Sequence, residues 1–330
     1  MKAVRCEAFA SIEDLVIGDV PEPEAGEGKV VIDVHAAGVN FPDGLMVQGK
    51  YQTRPDLPFT PGSEVAGVIR AVGAGVSGFA AGDRVAAFCG TGGFAQAVAV
   101  PATQVYHLPE GIAFTAAAGL LINYGTSYHA LKDRAKIASG ESLLVLGASG
   151  GVGLAAVELG AVMGARVIAA ASSADKLALA QERGAAEVID YAADDLRTRI
   201  RELTGGKGVD VVYDPVGGAS TLAAVKGLAW GGRHLVVGFA AGDIPQVPAN
   251  LLLLKSAASL GVLWGMSLRA DPVHHAANIA DLLRWMAEGR ISPRIDRVWP
   301  LEEVSAALDH VMERRARGKV VLSVRPEKGE

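Results

Sequence analysis

Cysteine is nearly absent: Cys6 and Cys89 are the only two in 330 residues. That excludes a disulfide-built scaffold and a Cys-rich zinc lobe, and makes a reducing, cytoplasmic setting the expectation. Positive charge is not in excess, since 31 Lys and Arg stand against 36 Asp and Glu, a formal net charge of −5. Aromatic residues make up 5% and form no stripe interleaved with basic ones. Neither nucleic acid nor a membrane surface is therefore an expected partner. Long apolar runs are also lacking. The longest, Leu154 to Ala171, is broken by Glu158 and Arg166, so no membrane-spanning helix is expected. The opening MKAVRCEAF places Lys, Arg and Glu where a secretory signal is apolar, in keeping with the cytoplasmic expectation.

Glycine, by contrast, is plentiful. Its 41 residues are roughly twice what average usage of about 7% gives, and they fall at turns rather than in a repeat. The chain is long enough for two cores. Its texture changes twice. Up to Leu121 short alternating runs such as KVVIDVHAAGVN and SEVAGVIRAVGAGV lie between glycine turns, the pattern of an all-β barrel or sandwich. From Ile122 apolar strands alternate with helices: SLLVLG, RVIAAA, EVIDY, VDVVYDPVG and RHLVVGFA are strands, and STLAAVKGLAWGG is among the helices. That rhythm predicts a parallel sheet covered on both faces. The last zone holds two helices and a closing strand, KVVLSV, expected to return to the first domain. The fold expected is thus α/β: a β-barrel catalytic domain, 1–121 plus 266–330, carrying an inserted doubly wound domain, 122–265.

GASGGVG, Gly147 to Gly153, directly follows an apolar strand and opens a helix. Glycines there allow the tight turn, the approach of backbone N–H groups to a pyrophosphate, and close packing of helix on strand. The helix N-terminus adds its positive dipole end. Ser149, Gly150, Gly151 and Val152 are the candidate phosphate-binding positions.

The next strand, RVIAAA, lacks the Asp or Glu that would hydrogen-bond a free ribose 2′-hydroxyl. Ser172, Ser173 and Lys176 follow it instead. A carboxylate would repel a 2′-phosphate, whereas hydroxyl donors and an ammonium suit one. NADPH is accordingly the expected cofactor, with Asp175 a complication that either pairs with Lys176 or weakens the anion site.

Four segments resemble the zinc-independent quinone oxidoreductases (zeta-crystallin type) of the medium-chain dehydrogenase/reductase superfamily: AAGVNFPD at 36–43, PGSEVAGVIRAVGAGVSGFAAGDRV at 61–85, GASGGVGLAAVELG at 147–160, and RGKVVLSV near the end. The resemblance implies a GroES-like barrel, an inserted Rossmann domain with NADPH between them, and a homodimer joined through the last Rossmann strand, SLGVLWG. It implies that Asn40 reaches the nicotinamide end, that Thr126 near the start of its helix contacts the cofactor, and that Lys176, Tyr191 and Arg315 hold the 2′-phosphate. Gly238, Phe239, Leu263 and Trp264 fall where backbone groups hold the carboxamide. Zinc-dependent relatives place a Cys where this chain has Asn40 and a His-Glu pair where it has Ser63-Glu64. Catalytic zinc needs three protein ligands, so no metal is expected.

Hydride transfer to an electron-poor acceptor is mainly a problem of positioning, and no dedicated acid is obligatory. Asn40, Asp43, Tyr51 and Tyr124 are candidates to line the pocket. Tyr51 is the candidate donor to a substrate oxygen, and Asp43 is read as capping the helix that follows it. His129 is read as packed, and the His274-His275 pair as solvent-exposed. The expected activity is NADPH-dependent reduction of a quinone. Reduction of an activated C=C bond, in an enone or enoyl thioester, is the alternative, for which Lys50, Arg54 and Arg269 are the basic residues at hand. A non-catalytic NADPH-binding role, crystallin-like or RNA-binding, is the reading from a different class.

Overall fold

The computed structural model describes residues 1–325, so the last five residues of the catalytic-domain range lie outside the described residues. The chain forms two compact units. One is Met1–Ile122 together with the chain from Ser267 onward, and the other is Asn123–Met266.

The second unit is built on a six-stranded parallel sheet. Its spatial order is Glu187–Asp190, Arg166–Ala171, Ser142–Leu146, Val209–Asp214, Leu228–Val236, Ala258–Gly261. The central Ser142–Leu146 strand is wholly buried, which is why SLLVL is apolar without alternation. Strand order reverses on either side of that strand, the switch point at which open α/β sheets bind ligands beyond their carboxyl ends. Leu144, Leu146, Ile168, Val212 and Val225 belong to the core on one face.

One expected helix divides. STLAAVKGLAWGG is helical only through Lys226, in Gly218–Lys226, and its second half opens the strand Leu228–Val236. Gly227 ends the helix by donating to Ala223 and Ala224. The strand then bulges, its register shifting opposite Val209 and Val211 at Gly231 (φ 72°), a conformation suited to glycine. Local composition favours continued helix; pairing to Val209–Asp214 overrides it.

The first unit carries a seven-stranded sheet. Its path runs Ile295–Pro300, Lys319–Ser323, Lys29–Val39, Glu64–Val72, Arg84–Phe88, Val105–His107, with Ala97–Pro101 also on Lys29–Val39. All pairs but the first are antiparallel. Val30, Ile32, Val65, Phe94 and Leu322 contribute to its core. The register sets Gly38 opposite Glu64 and Val39 opposite Val320. Residues remote in sequence thereby meet at the end of the Lys29–Val39 strand. In the 16-residue helix Pro272–Ala287, His274 is exposed as expected but His275 is not. It is 1% exposed and hydrogen-bonds Ser267 Oγ at 2.8 Å, because it falls on the face that also buries Asn278, Ile279 and Leu282. Among the described residues no helix is long and apolar enough to cross a membrane.

Candidate active site

The glycine loop lies where the strand order reverses. Gly147 turns the chain out of the central strand with φ 59°. Gly153 is required by contact: a Cβ there would lie 2.2 Å from the carbonyl oxygen of Gly147, so any side chain would push the helix off the strand. Gly150 precedes the helix Gly151–Val162 in extended conformation and offers no side chain to cap it. The amides of the first turn therefore face outward toward an incoming acceptor. Ser149 is 5% exposed at the base of the loop.

The next strand ends at Ala171, and Lys176 Nζ donates to Ser172 Oγ at 3.3 Å across one helical turn. Tyr191 stands one residue beyond the adjacent strand and its N–H donates to Ala171 O at 3.1 Å. The two local phosphate-site candidates thus share one turn, with Tyr191 just past the end of the strand beside it. Gly238 follows the Leu228–Val236 strand, its N–H 3.3 Å from Asp214 O. Phe239 and Leu263 are 37% and 46% exposed, whereas Trp264 is 4% exposed and its ring abuts Gly125, where a Cβ would lie 2.8 Å from it. Thr126 is the sixth residue of Leu121–Tyr128, beyond the helix start where the sequence reading placed it.

Tyr124 is withdrawn from the set of free donors. Its hydroxyl donates to Glu158 Oε2 at 2.5 Å, and Arg183 reaches the other oxygen at 3.3 Å. Burial, then the Glu158 carboxylate, pushes the phenol well above its ordinary range.

In the first unit, Asn40, Asp43, Ser63, Glu64 and Lys319 form one buried polar network, none more than 5% exposed. Lys319 Nζ donates to Asn40 Oδ1 at 2.7 Å and to Glu64 Oε1. Asn40 Nδ2 donates to Glu64 Oε1 at 3.1 Å and to Gly38 O at 3.2 Å, and the Ile122 N–H donates to Glu64 Oε2 at 3.0 Å. The amide orientation of Asn40 follows from these partners, with its oxygen on the ammonium and its nitrogen on two acceptors. A Cβ on Gly38 would fall 2.6 Å from Glu64 Oε1 and 2.7 Å from Lys319 Cε, so only glycine leaves room for the pair.

Asp43 starts the helix Phe41–Val47 from its third position. Its Oδ2 accepts the Asn40 N–H at 2.8 Å, completing the cap from inside the helix, and its Oδ1 accepts Ser63 Oγ at 2.5 Å. Burial pushes its carboxyl up to about 6, with Glu64 adding to the rise, against the opposing pull of Ser63, the Asn40 N–H and Lys319. Tyr51, half-buried, has its phenol raised by burial and by the Asp43 charge. The Cys89 thiol, which donates to Gly62 O at 3.4 Å, is raised by burial, then by Asp43 and Glu64. Arg315, also in this unit, pairs with Glu313 at 2.6 Å. Lys319 is the site residue that sequence reading missed. The signal was present in RGKVVLSV, a lysine opening an otherwise apolar strand.

A glycine loop at the switch point of a doubly wound sheet, with a separate unit that buries a polar network, is an arrangement found in dinucleotide-binding proteins. Residues 26–110 match the family described as alcohol dehydrogenase GroES-like domain, and residues 151–287 the one described as zinc-binding dehydrogenase. A quinone oxidoreductase-like protein 2 homolog from Nematostella vectensis is 39% identical over 328 residues, 98% of this chain and 89% of its own length. A mycobacterial protein solved in complex with NADPH superposes with a TM-score of 0.92 at 31% identity, over 98% of this chain and 100% of that one. Escherichia coli quinone oxidoreductase, also complexed with NADPH, gives 0.91 at 28% identity, over 98% and 100%. The chain belongs to the medium-chain dehydrogenase/reductase superfamily, in its quinone oxidoreductase-like branch, and is an oxidoreductase.

The family description names zinc, and the network around Asn40 does not fit it. Zinc takes at least three N, O or S ligands about 2.0–2.3 Å away with lone pairs to spare. Here the Glu64 carboxylate and the Asn40 oxygen already receive the Lys319 ammonium, Asn40 and Ser63 offer only neutral oxygens, and the Cys89 thiol is held protonated. An ammonium stands among them, so a second cation is opposed by charge as well.

Proposed function

We propose that the protein is an NADPH-dependent, metal-independent reductase that delivers hydride to a quinone. The observation that carries the cofactor choice is the Ser172–Lys176 contact at the end of a strand that bears no carboxylate. A hydroxyl and an ammonium one turn apart suit a 2′-phosphate, and an acid at the same place would not. When bound, NADPH supplies hydride from C4 of its nicotinamide ring. The chain's own part is to bind and orient. The loop Ser149–Val152 holds the pyrophosphate on helix amides, Ser172, Lys176, Tyr191 and Arg315 hold the 2′-phosphate, and Gly238, Phe239, Leu263, Trp264 and Thr126 fix the nicotinamide half. Asn40, its amide oriented by Lys319 and Glu64, is assigned to the nicotinamide end, and Tyr51 donates a hydrogen bond to a substrate oxygen.

In domain terms, 1–121 plus 266–330 is the catalytic part and 122–265 the NADPH-binding part. The working form is a homodimer joined through the last Rossmann strand. Ala258–Gly261 is the edge of its sheet, and Trp230, Leu253 and Leu254 on the preceding elements are 78%, 80% and 70% exposed, an apolar surface of the kind interfaces cover.

Stopped-flow oxidation of bound NADPH against quinones, enones and enoyl-CoAs tests the reading. Fastest turnover with quinones supports it. Fastest turnover with enones or enoyl thioesters moves the assignment to C=C reduction, and tight NADPH binding without oxidation by any acceptor overturns the enzymatic reading.

A further inference from the structure

Lys319 stands in an unusual position for a lysine. It is 3% exposed, in a hollow that also buries Glu64 at 0% and Asn40 at 5%. Isolated burial of an ammonium costs several kcal/mol, and here a carboxylate and an amide oxygen receive it. The groups that face it are acceptors or acids: Glu64 and Asn40 directly, and Asp43 within electrostatic reach. Its strand enters from the far end of the chain, 255 residues after Glu64 and 279 after Asn40. Gly38 leaves the space that its stem and the Glu64 carboxylate occupy. The hollow therefore holds a donor set of the kind a cation requires, and holds its cation on a tether.

We propose that the Lys319 ammonium is the resident cation of this site: it neutralises Glu64, fixes the orientation of the Asn40 amide, and excludes divalent metal from a hollow that would otherwise take one. Lys319 is a positioning residue, acting through Asn40 and Glu64. With the ammonium removed, the Glu64 carboxylate is left buried without a counter-charge, beside a second carboxylate and the oxygens of Asn40 and Ser63. Such a group takes up either a proton or a cation, and the Asn40 and Glu64 oxygens that receive the ammonium are then open to a divalent ion. The inference rests on the metal-free reading of the site and not on the identity of cofactor or acceptor.

The test uses the full chain as wild type, Lys319→Ala and Lys319→Ala/Glu64→Gln, each incubated with Co2+, desalted, and assayed by elemental analysis and visible absorption. The expected result is about one equivalent of cobalt above the wild-type level in Lys319→Ala, and none above it in the double variant. No gain in Lys319→Ala, or a gain that survives Glu64→Gln, overturns the proposal. If Lys319→Ala does not purify folded, it is refolded with and without Co2+. Recovery that depends on the metal supports the proposal, and recovery indifferent to it overturns it. Stoichiometric metal in the wild type as purified would instead overturn the metal-free reading, so the two failures are told apart.

Discussion

Ser63 Oγ lies 2.5 Å from Oδ1 of Asp43, and the carboxylate that receives it is fully buried. Each oxygen of Asp43 has one donor, yet burial outweighs both, and the group titrates near 6. The native chain thus holds a proton that the unfolded chain gives up near 3.8.

The sign of the consequence follows from linkage. A native state that binds more protons than the unfolded one loses stability as pH rises. Asp43 should therefore cost stability progressively between about pH 4 and 6, reaching about 3 kcal/mol above that window. Asp43→Asn removes the titration. Denaturant unfolding from pH 4 to 7 should show the variant's stability falling less steeply over that range than the wild type's. Parallel curves would show that Asp43 is not the group responsible.

Asp214 illustrates the opposite balance. Burial by itself would raise this carboxyl, but it accepts from His234 Nε2 at 3.3 Å, Thr221 Oγ1 at 2.5 Å, and the N–H groups of Gly217 and Val216 at 2.9 Å, which together hold it below the ordinary range. Its contribution is present above the unfolded carboxylate pKa and is lost as pH falls through the lower folded value. Asp214→Ala strands these buried donors and should cost about 2–4 kcal/mol at neutral pH. Equilibrium denaturation measures it, and a change below about 0.5 kcal/mol would refute the role given to the carboxylate.

Gly38 and Gly26 make a matched pair. A methyl on Gly38 meets Ala118 O at 2.2 Å as well as Glu64 and Lys319, while one on Gly26 meets nothing within 4 Å. Gly38→Ala should cost about 2–3 kcal/mol and reduce turnover by displacing the network, with Gly26→Ala within about 0.5 kcal/mol of wild type. Thermal unfolding and steady-state rates of both variants check this, and equal behaviour would contradict it.

The parts legible in sequence were those whose signals are local. GASGGVG sits between an apolar strand and a helix within a few residues, and the missing acid is visible because its place is counted from that strand's successor. The structure puts the loop at the switch point and brings Ser172 to Lys176. The partners of Lys319 were not legible, because strand register rather than spacing joins it to Glu64 and Asn40. The same reason explains the helix read through Trp230, where pairing along Val209–Asp214 extends a strand into a stretch with helical composition. His275 shows how a pair of like residues one step apart divides between solvent and core when a helix turns about 100° per residue. Tyr124 was a plausible pocket residue until Glu158, one helix away, claimed its hydroxyl.

Selection of NADPH over NADH rests on Lys176 and Ser172. Dissociation constants for NADPH and NADH, in wild type and Lys176→Ala, test it most directly. Wild type is expected to bind NADPH at least tenfold more tightly than NADH, about 1.4 kcal/mol, and Lys176→Ala to weaken NADPH while leaving NADH unchanged. Equal affinity of the wild type for both cofactors, or NADPH binding untouched by the substitution, would contradict it.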